Sequence, residues 1–266
     1  MILHGRSALV TGSGGTGCGR AIALRLAAEG ATVVVSDSNI EGGEETLRLI
    51  EADGGRALFR PADVRQEAQV RDLVAFASNE CGPLGLVVNN ATAPFSHGYE
   101  MDRWLQTAET DFIGPLMAMR YAVEAMRRAG QGGAIVNVSS ISALWHGRRT
   151  SAAAPVYDAA KAGLLRLTTG LAEFAKTDNI RVNCLAPGWI ATEGPLTYWE
   201  SLTPEQRVER GVPARLLSTS QVADAVVRLA TDESLAGRVL VWWSDKEPRL
   251  LEWGDRGYRD ATPFGL

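Results

Sequence analysis

The feature that most restricts how this chain can fold is an alternation. Seven short apolar runs, rich in β-branched residues, are each separated from the next by a segment of helical character. The runs are Arg6–Val10 (RSALV), Thr32–Asp37, Arg56–Val64, Leu84–Ala91, Gly133–Ser140, Ile180–Gly188 and Arg238–Trp243. The second, TVVVSD, is almost continuously apolar, as in a strand buried on both faces. Between the first two runs, Ala21, Leu24 and Ala28 recur at helical spacing and Gly30 supplies a stop. Strands alternating with helices predict an α/β fold, a doubly wound parallel sheet of about seven strands with helices on both faces.

The alternation runs through residues 1–266 without an internal repeat, a low-complexity segment or an interdomain linker, so a single domain is expected. The least sheet-like part is 192–217, which carries Pro195, Pro204 and Pro213 and reads as a lid over the sheet. The segment 244–266 reads as a polar tail with Trp253, Tyr258 and Phe264 embedded in it. A net charge of −4 and a pI near 5.5 give no electrostatic case for nucleic acid or an anionic membrane. No stretch approaches the roughly 18–20 apolar residues of a membrane span. Cys18, Cys81 and Cys184 are far apart, without a CxxC or a nearby His pattern. They read as free thiols of a reducing compartment, with no metal. With the first strand starting near Arg6 there is no room for a signal peptide, and a cytoplasmic protein is expected.

Between the first strand and the first helix lies TGSGGTGCG, Thr11–Gly19, in which five of nine residues are glycine. A glycine-rich turn opening a helix is a place for a dinucleotide pyrophosphate, the Rossmann arrangement. Free backbone N–H groups and the positive end of the helix dipole meet the anion, and side chains would obstruct it. Cys18 reads as a small filler of this turn, with a reactive thiol as the alternative. Asp37 ends the second strand. An acid there accepts hydrogen bonds from ribose hydroxyls and repels a 2′-phosphate. Its neighbours Ser36, Ser38 and Asn39 offer no cation, so NAD is expected over NADP; capping of the next helix is the alternative role for Asp37.

YDAAK places Tyr157 and Lys161 four apart on a helical segment, facing the same way. A neighbouring ammonium favours a phenolate, and such a pair can give or take a proton at a carbonyl or alcohol oxygen. The helix follows a strand ending NVSS, whose serines fall at the carboxyl end, where open α/β sheets hold their ligands.

Together these pieces resemble the short-chain dehydrogenase/reductase (SDR) family over nearly the whole chain. The matching segments arrive in family order: the glycine loop, Ser36–Asp37, ADV at Ala62–Val64, NNA at Asn89–Ala91, NVSS, YDAAKAG, RVNCLAPG with Thr192 behind it, and VADAVVRLATDES before the last strand. The resemblance implies an NAD(H)-dependent oxidoreductase that interconverts a secondary alcohol and a ketone. Tyr157 is then the acid/base. Lys161 activates it and holds the nicotinamide ribose. Ser140, rather than Ser139, binds the reacting oxygen. The cofactor-binding set it implies is Gly12, Gly17, Cys18 and Gly19 at the turn, Asp37 at the ribose, and Asp63 and Val64 at the adenine. Asn89 and Ala91 support the backbone around it, and Pro187, Gly188, Ile190 and Thr192 lie near the carboxamide. The resemblance also implies a homotetramer, or a dimer, built through the helices at 104–128 and 155–176.

The chain departs from the family pattern in four places. The glycine loop has four residues between Gly12 and Gly17, one more than usual. Thr92 follows NNA where glycine is usual. Asp111, in DFIG, replaces an asparagine that holds a water in the family's proton relay, and it is expected near Lys161. An insertion at 144–155 lengthens the Ser140–Tyr157 spacing to seventeen. His146 within it, like His97 and His4, reads as a surface histidine, with a second acid/base as the alternative role, and Arg148 and Arg149 read as a solvated loop or a carboxylate site. Trp145, Trp189 and Trp199 offer walls for an apolar or ring-shaped substrate, or plain lid packing. The tail either covers its own sheet edge or meets another subunit. Two other functions share these features: a dehydratase or isomerase on the same fold, and a non-catalytic NAD-binding sensor or scaffold.

Overall fold

The structure is a computed structural model that describes residues 3–94, 101–145 and 154–254. Its centre is an eight-stranded sheet. The strands are β1 (Ser7–Thr11), β2 (Thr32–Ser36), β3 (Arg56–Phe59), β4 (Leu84–Asn89), β5 (Gly133–Val138), β6 (Ile180–Pro187), β7 (Val239–Trp242) and β8 (Arg249–Leu250), in the order β3-β2-β1-β4-β5-β6-β7-β8. The first seven are parallel, and β8 runs antiparallel to β7. The alternation thus predicts the parallel part, and the eighth strand is the correction. It has two exposed residues and no apolar run, so nothing in its composition marks it as a strand.

The helices follow the strands as the βαβ logic requires. They are α1 (Cys18–Ala28), α2 (Ile40–Ala52), α3 (Glu67–Glu80), α4 (Trp104–Ala108), α5 (Gly114–Ala129), α6 (Pro155–Gly170), α7 (Phe174–Thr177), α8 (Glu193–Glu200), α9 (Pro204–Glu209) and α10 (Thr219–Thr231). One face of the sheet is covered by α1, α2 and α10, with Ile22, Leu26, Ile50, Val222 and Val226 packed on Val10, Val33 and Val136. The other is covered by α3, α5 and α6, with Leu73, Met126 and Leu164 on Leu9, Val87 and Ile135. β2, β4 and β6 are buried on both faces, which is why TVVVS, LGLVVN and IRVNCLAP read as apolar runs.

Two expected helices are divided. The segment 104–128 is α4 and α5 joined by one π-helical turn, Glu109–Ile113, which contains Asp111. The segment 155–176 is α6, a turn after Gly170, and the short α7. The stretch 192–217 contains α8 and α9 and is closed at its base by an isolated parallel bridge between Ile190 and Leu217. No helix among the described residues is long and apolar enough to cross a membrane.

Candidate active site

The crevice lies at the carboxyl ends of β1, β2, β4, β5 and β6. At its floor is the glycine turn. Gly12 has φ +67°, and a Cβ there would lie 2.6 Å from Ala91 Cα. A side chain is therefore excluded on both conformational and steric grounds. Gly19 packs against the carbonyl of Gly12 with no space for a Cβ, seating α1 on the turn. The N-cap of α1 is Gly17, and no side chain caps it. That leaves first-turn N–H groups aimed at the crevice, a fit for a pyrophosphate.

The extra residue of the loop has a structural account. Ser13 extends the β1–β2 pairing: its N–H donates to the Ser36 carbonyl at 3.1 Å, and its hydroxyl accepts from the Ser36 N–H at 3.0 Å. The chain then bulges toward β2. The Gly14 N–H donates to Asp37 Oδ2 at 2.8 Å, while the Asn39 N–H donates to Oδ1 at 2.9 Å. A Cβ on Gly14 would sit 2.8 Å from the Asp37 Cβ, whereas Gly15 is open. Gly14 is thus needed for its closeness to Asp37. Arg20 braces the bulge from α1, donating to Thr46 Oγ1 at 2.9 Å and to the Gly14 and Gly42 carbonyls at 3.3 and 3.2 Å. Capping of α2 falls to Asn39, whose side chain accepts from the Gly42 N–H, so Asp37 is not the cap.

Asp63 and Val64 follow β3. Arg65 grips both Asp63 oxygens, with Nη2 at 2.6 Å from Oδ2 and Nε at 2.9 Å from Oδ1. These hydrogen bonds hold the Asp63 carboxyl below the usual carboxylate range. Val64 is buried against Gly114 at the start of α5. Asn89 points away from the turn: its Nδ2 donates to Asn137 Oδ1 at 2.8 Å, and Asn137 in turn donates to Thr168 at 3.0 Å. The residue that braces the turn is Asn90, whose Nδ2 donates to the Thr11 and Gly12 carbonyls at 3.1 and 3.0 Å. Successive strand residues face opposite ways, so the backbone support expected of Asn89 around the cofactor comes from its neighbour. Ala91 closes over Gly12, its N–H donating to Thr11 Oγ1 at 3.3 Å.

The cluster of Ser139, Ser140, Tyr157 and Lys161 is built by the end of β5 and by α6. Tyr157 is half-buried, with the Lys161 Nζ 5.4 Å from its ring centre. Lys161 is 3% exposed; its Nζ donates to the Val138 carbonyl at 3.1 Å and pairs with Asp111 Oδ1 at 3.0 Å. Burial alone would lower the Lys161 pKa. The charges of Tyr157 and Asp111 and the hydrogen bond from Asp111 outweigh it and hold the ammonium above its ordinary value. The Ser139 hydroxyl is committed to the Lys161 carbonyl at 2.8 Å. Ser140, next along, accepts from the Ser142 N–H at 3.1 Å, and its proton remains for another acceptor.

Beyond β6, Gly188 approaches the end of β7 too closely for a side chain, with Ser244 Oγ 2.6 Å from a Cβ placed there. Pro187 is buried in β6, Ile190 bridges to Leu217, and Thr192 stands at the N-cap position of α8 without a side-chain capping bond, its methyl facing Gly17. Cys18 is half-buried and packs on the core, and burial pushes its thiol up to about 11. Cys81 and Cys184 are buried.

The three tryptophans divide. Trp199 is a packing residue of 192–217, its Nε1 donating to the Pro213 carbonyl at 2.9 Å with Arg207 over its ring. Trp189 stacks on Tyr198 with ring centres 6.0 Å apart, and Trp145 lies against Trp243 at 5.5 Å. In the tail, β8 covers the edge of β7, and Trp253 Nε1 donates to the Gly237 carbonyl at 3.2 Å. His97, His146, Arg148, Arg149, most of the 144–155 insertion, and Tyr258 and Phe264 fall outside the described residues.

Known proteins are similar to this chain over most of its length. The short chain dehydrogenase family profile matches residues 6–200. The cis-4-hydroxycyclohexanecarboxylate dehydrogenase of Sinomonas cyclohexanicum is 36% identical over 245 residues, 90% of this chain and 90% of its own. The L-rhamnose 1-dehydrogenase (NAD(P)(+)) of Azotobacter vinelandii is 36% identical over 240 residues, 87% of this chain and 92% of its own. Among solved structures, a 7α-hydroxysteroid dehydrogenase complexed with NADH and 7-oxo glycochenodeoxycholic acid superposes with a TM-score of 0.79 at 27% identity, covering 91% of this chain and 94% of that one. Sequence profile, relatives and fold agree, and the chain belongs to the short-chain dehydrogenase/reductase family of oxidoreductases.

Proposed function

We propose that the protein is an NAD(H)-dependent oxidoreductase interconverting a secondary alcohol and a ketone, with Ser140, Tyr157 and Lys161 at the reacting oxygen. The observation that carries this is the buried ammonium of Lys161 beside the half-buried Tyr157 ring, one helical turn away and next to the end of β5. The nicotinamide supplies or accepts the hydride when bound. In reduction Tyr157 gives its proton to the ketone oxygen, and Ser140 donates a hydrogen bond to the same atom. In oxidation the Tyr157 phenolate accepts the alcohol proton, and Ser140 still donates to the same oxygen. Lys161 favours the phenolate and holds ribose hydroxyls, and Asp111 is its partner in the proton relay.

The cofactor has a matching seat. The uncapped start of α1, with Gly12, Gly17, Cys18 and Gly19, takes the pyrophosphate. Asp37 takes the adenosine ribose, held in place by the Gly14 and Asn39 N–H groups. Asp63 and Val64 take the adenine, with Ala91 beside the turn and Pro187, Gly188, Ile190 and Thr192 around the carboxamide. The acidic Asp37 favours NAD(H) over NADP(H). Trp145 and Trp189, both partnered by other aromatics, support an apolar or ring-shaped substrate under a lid at 192–217. The exposed Met101, Leu105, Ile113 and Leu116 on and beside α4 and α5 support assembly through those helices, as a homotetramer or dimer. The three free thiols support a cytoplasmic setting.

The test is turnover of a panel of cyclic and acyclic secondary alcohols and ketones with NAD(H) and NADP(H), followed by nicotinamide absorbance. Oxidation or reduction of at least one pair, with NAD(H) preferred, is expected. No turnover across the panel despite tight NADH binding points to the sensor or scaffold. Light scattering at micromolar concentration tests the assembly, and a monomer refutes it.

A further inference from the structure

Two departures from the family pattern, Thr92 and Asp111, lie nineteen residues apart in the chain and touch in the fold. The Thr92 hydroxyl donates to Asp111 Oδ1 at 2.6 Å, and the Ala93 N–H donates to Oδ2 at 3.1 Å. Lys161 Nζ stands 3.0 Å from Oδ1. Asp111 has no exposed surface, whereas Thr92 is exposed at the rim and turns only its hydroxyl inward. The carboxylate sits in the single π-helical turn between α4 and α5, an irregularity that re-aims side chains.

A buried carboxylate costs stability unless charge and hydrogen bonds compensate it. Here three donors do so: one hydroxyl, one backbone N–H and one ammonium. A glycine at position 92 would remove the hydroxyl, and an asparagine at 111 would remove the charge. Each departure therefore makes sense beside the other.

We propose that Thr92 and Asp111 act as one unit, a direct counter-ion for Lys161 in place of the family's water-holding asparagine. In this unit Thr92 is a positioning residue that tempers the negative field on the Tyr157–Lys161 pair. The proposal rests on Tyr157 being the acid/base. The groups facing the pair come from several elements. From α6 come Tyr157 and Lys161, and from the π turn Asp111. The connection after β4 adds Thr92 and the Ala93 N–H. From β5 come the Val138 carbonyl and the Ser139 hydroxyl. From β6 comes Cys184, whose thiol burial pushes up to about 12 and so keeps neutral. Within that set Asp111 is the one carboxylate. The positive end of the Thr92 O–H dipole points at it and partly offsets its field. Without the hydroxyl the field is stronger and the phenolate less favoured; without the carboxylate the phenolate is more favoured. The Val138 carbonyl and an amide oxygen at 111 still accept from Lys161, so the ammonium persists.

The experiment measures kcat/KM for alcohol oxidation against pH and the melting temperature of the cofactor-free protein. It compares wild type, Thr92→Val, Thr92→Ala, Thr92→Ser, Asp111→Asn and Thr92→Val/Asp111→Asn. The rising limb should move to higher pH by about half a unit in Thr92→Val and Thr92→Ala, roughly a threefold change in the reactive fraction below the limb. It should stay in place in Thr92→Ser and move to lower pH in Asp111→Asn. In the Asp111→Asn background Thr92→Val should add little to either readout, the non-additivity of residues in contact. Superimposable profiles for the Val, Ala and Ser variants with additive melting shifts overturn the proposal, as does a downward shift in Thr92→Val. If Tyr157→Phe keeps wild-type activity, it is the acid–base assignment that fails, whatever Thr92 does.

Discussion

The two ends of the sheet both bury positive charge, and they do so differently. At the amino-terminal edge, Arg6 donates to the Leu84 and Gly132 carbonyls at 2.8 and 2.6 Å. Arg181 donates to the Ala230 and Asp232 carbonyls at 2.8 and 2.9 Å, closing the end of α10. Burial pulls both guanidinium groups below their ordinary value. Each guanidinium donates to backbone carbonyls, so each acts as a stitch between elements. At the carboxyl-terminal edge, Lys161 has a single carbonyl, a buried counter-ion and a phenol ring within reach. A buried cation paired with titratable groups beside an open crevice can take part in proton traffic, whereas one held by carbonyls stabilises the fold.

That contrast sets the expected sizes of effect. Tyr157→Phe keeps the ring and its packing and removes only the proton, so kcat should fall by about 10²–10⁴-fold while NADH still binds. Steady-state kinetics with a fluorescence titration checks both, and activity within about twofold of wild type rejects the assignment. Arg181→Met should act at the other edge alone. Losing charged hydrogen bonds to two carbonyls costs about 2–3 kcal/mol, a drop of about 5–10 °C in Tm. The folded fraction should keep its kcat and pH profile; a moved pH limb would erase the distinction between the two edges.

Asp37→Asn removes the repulsion of a 2′-phosphate while leaving an acceptor for the loop. The ratio of kcat/KM for NADP to that for NAD should rise by about tenfold, or about 1.4 kcal/mol. A parent enzyme that already works better with NADPH than with NADH contradicts the role given to Asp37. The smallest effect belongs to Cys18. Its thiol is held near 11 by burial, so a thiol reagent at pH 7.5 should label it slowly. Cys18→Ala should change activity by less than about twofold. Rapid inactivation by the reagent, prevented by NADH, would reverse that reading.

The legibility of these features in the sequence follows their range along the chain. The central strands are legible because burial on both faces leaves an apolar run, and Tyr157 and Lys161 because one helix spaces them. Asp111 stands out only as a departure from a pattern. Its contact with Thr92 joins a loop to an irregular helical turn, and no periodicity encodes that. Asn90 is masked by Asn89: either can brace a turn, and strand parity decides between them. The glycine bulge shows as an extra residue, but its direction, toward Asp37, depends on the packing of α2 and Arg20. Trp199 looks like a substrate wall until its indole N–H is accounted for by the Pro213 carbonyl.

The short antiparallel β8 has a consequence for handling the protein. A parallel sheet built by crossovers ends in a strand whose outer N–H and C=O groups face outward, a template for pairing with other chains. Here Leu250 and Arg249 occupy that rim against Leu240 and Val241, the Leu251 N–H reaches the Val239 carbonyl, and Trp253 is pinned to Gly237. A chain cut after Pro248 would keep the described residues of the crevice, with Ser244 still packed on Gly188 and bonded to the Trp189 carbonyl, and lose this seal. Its yield in soluble form would fall through filament-like association of bare sheet margins, without any change in the chemistry the crevice performs.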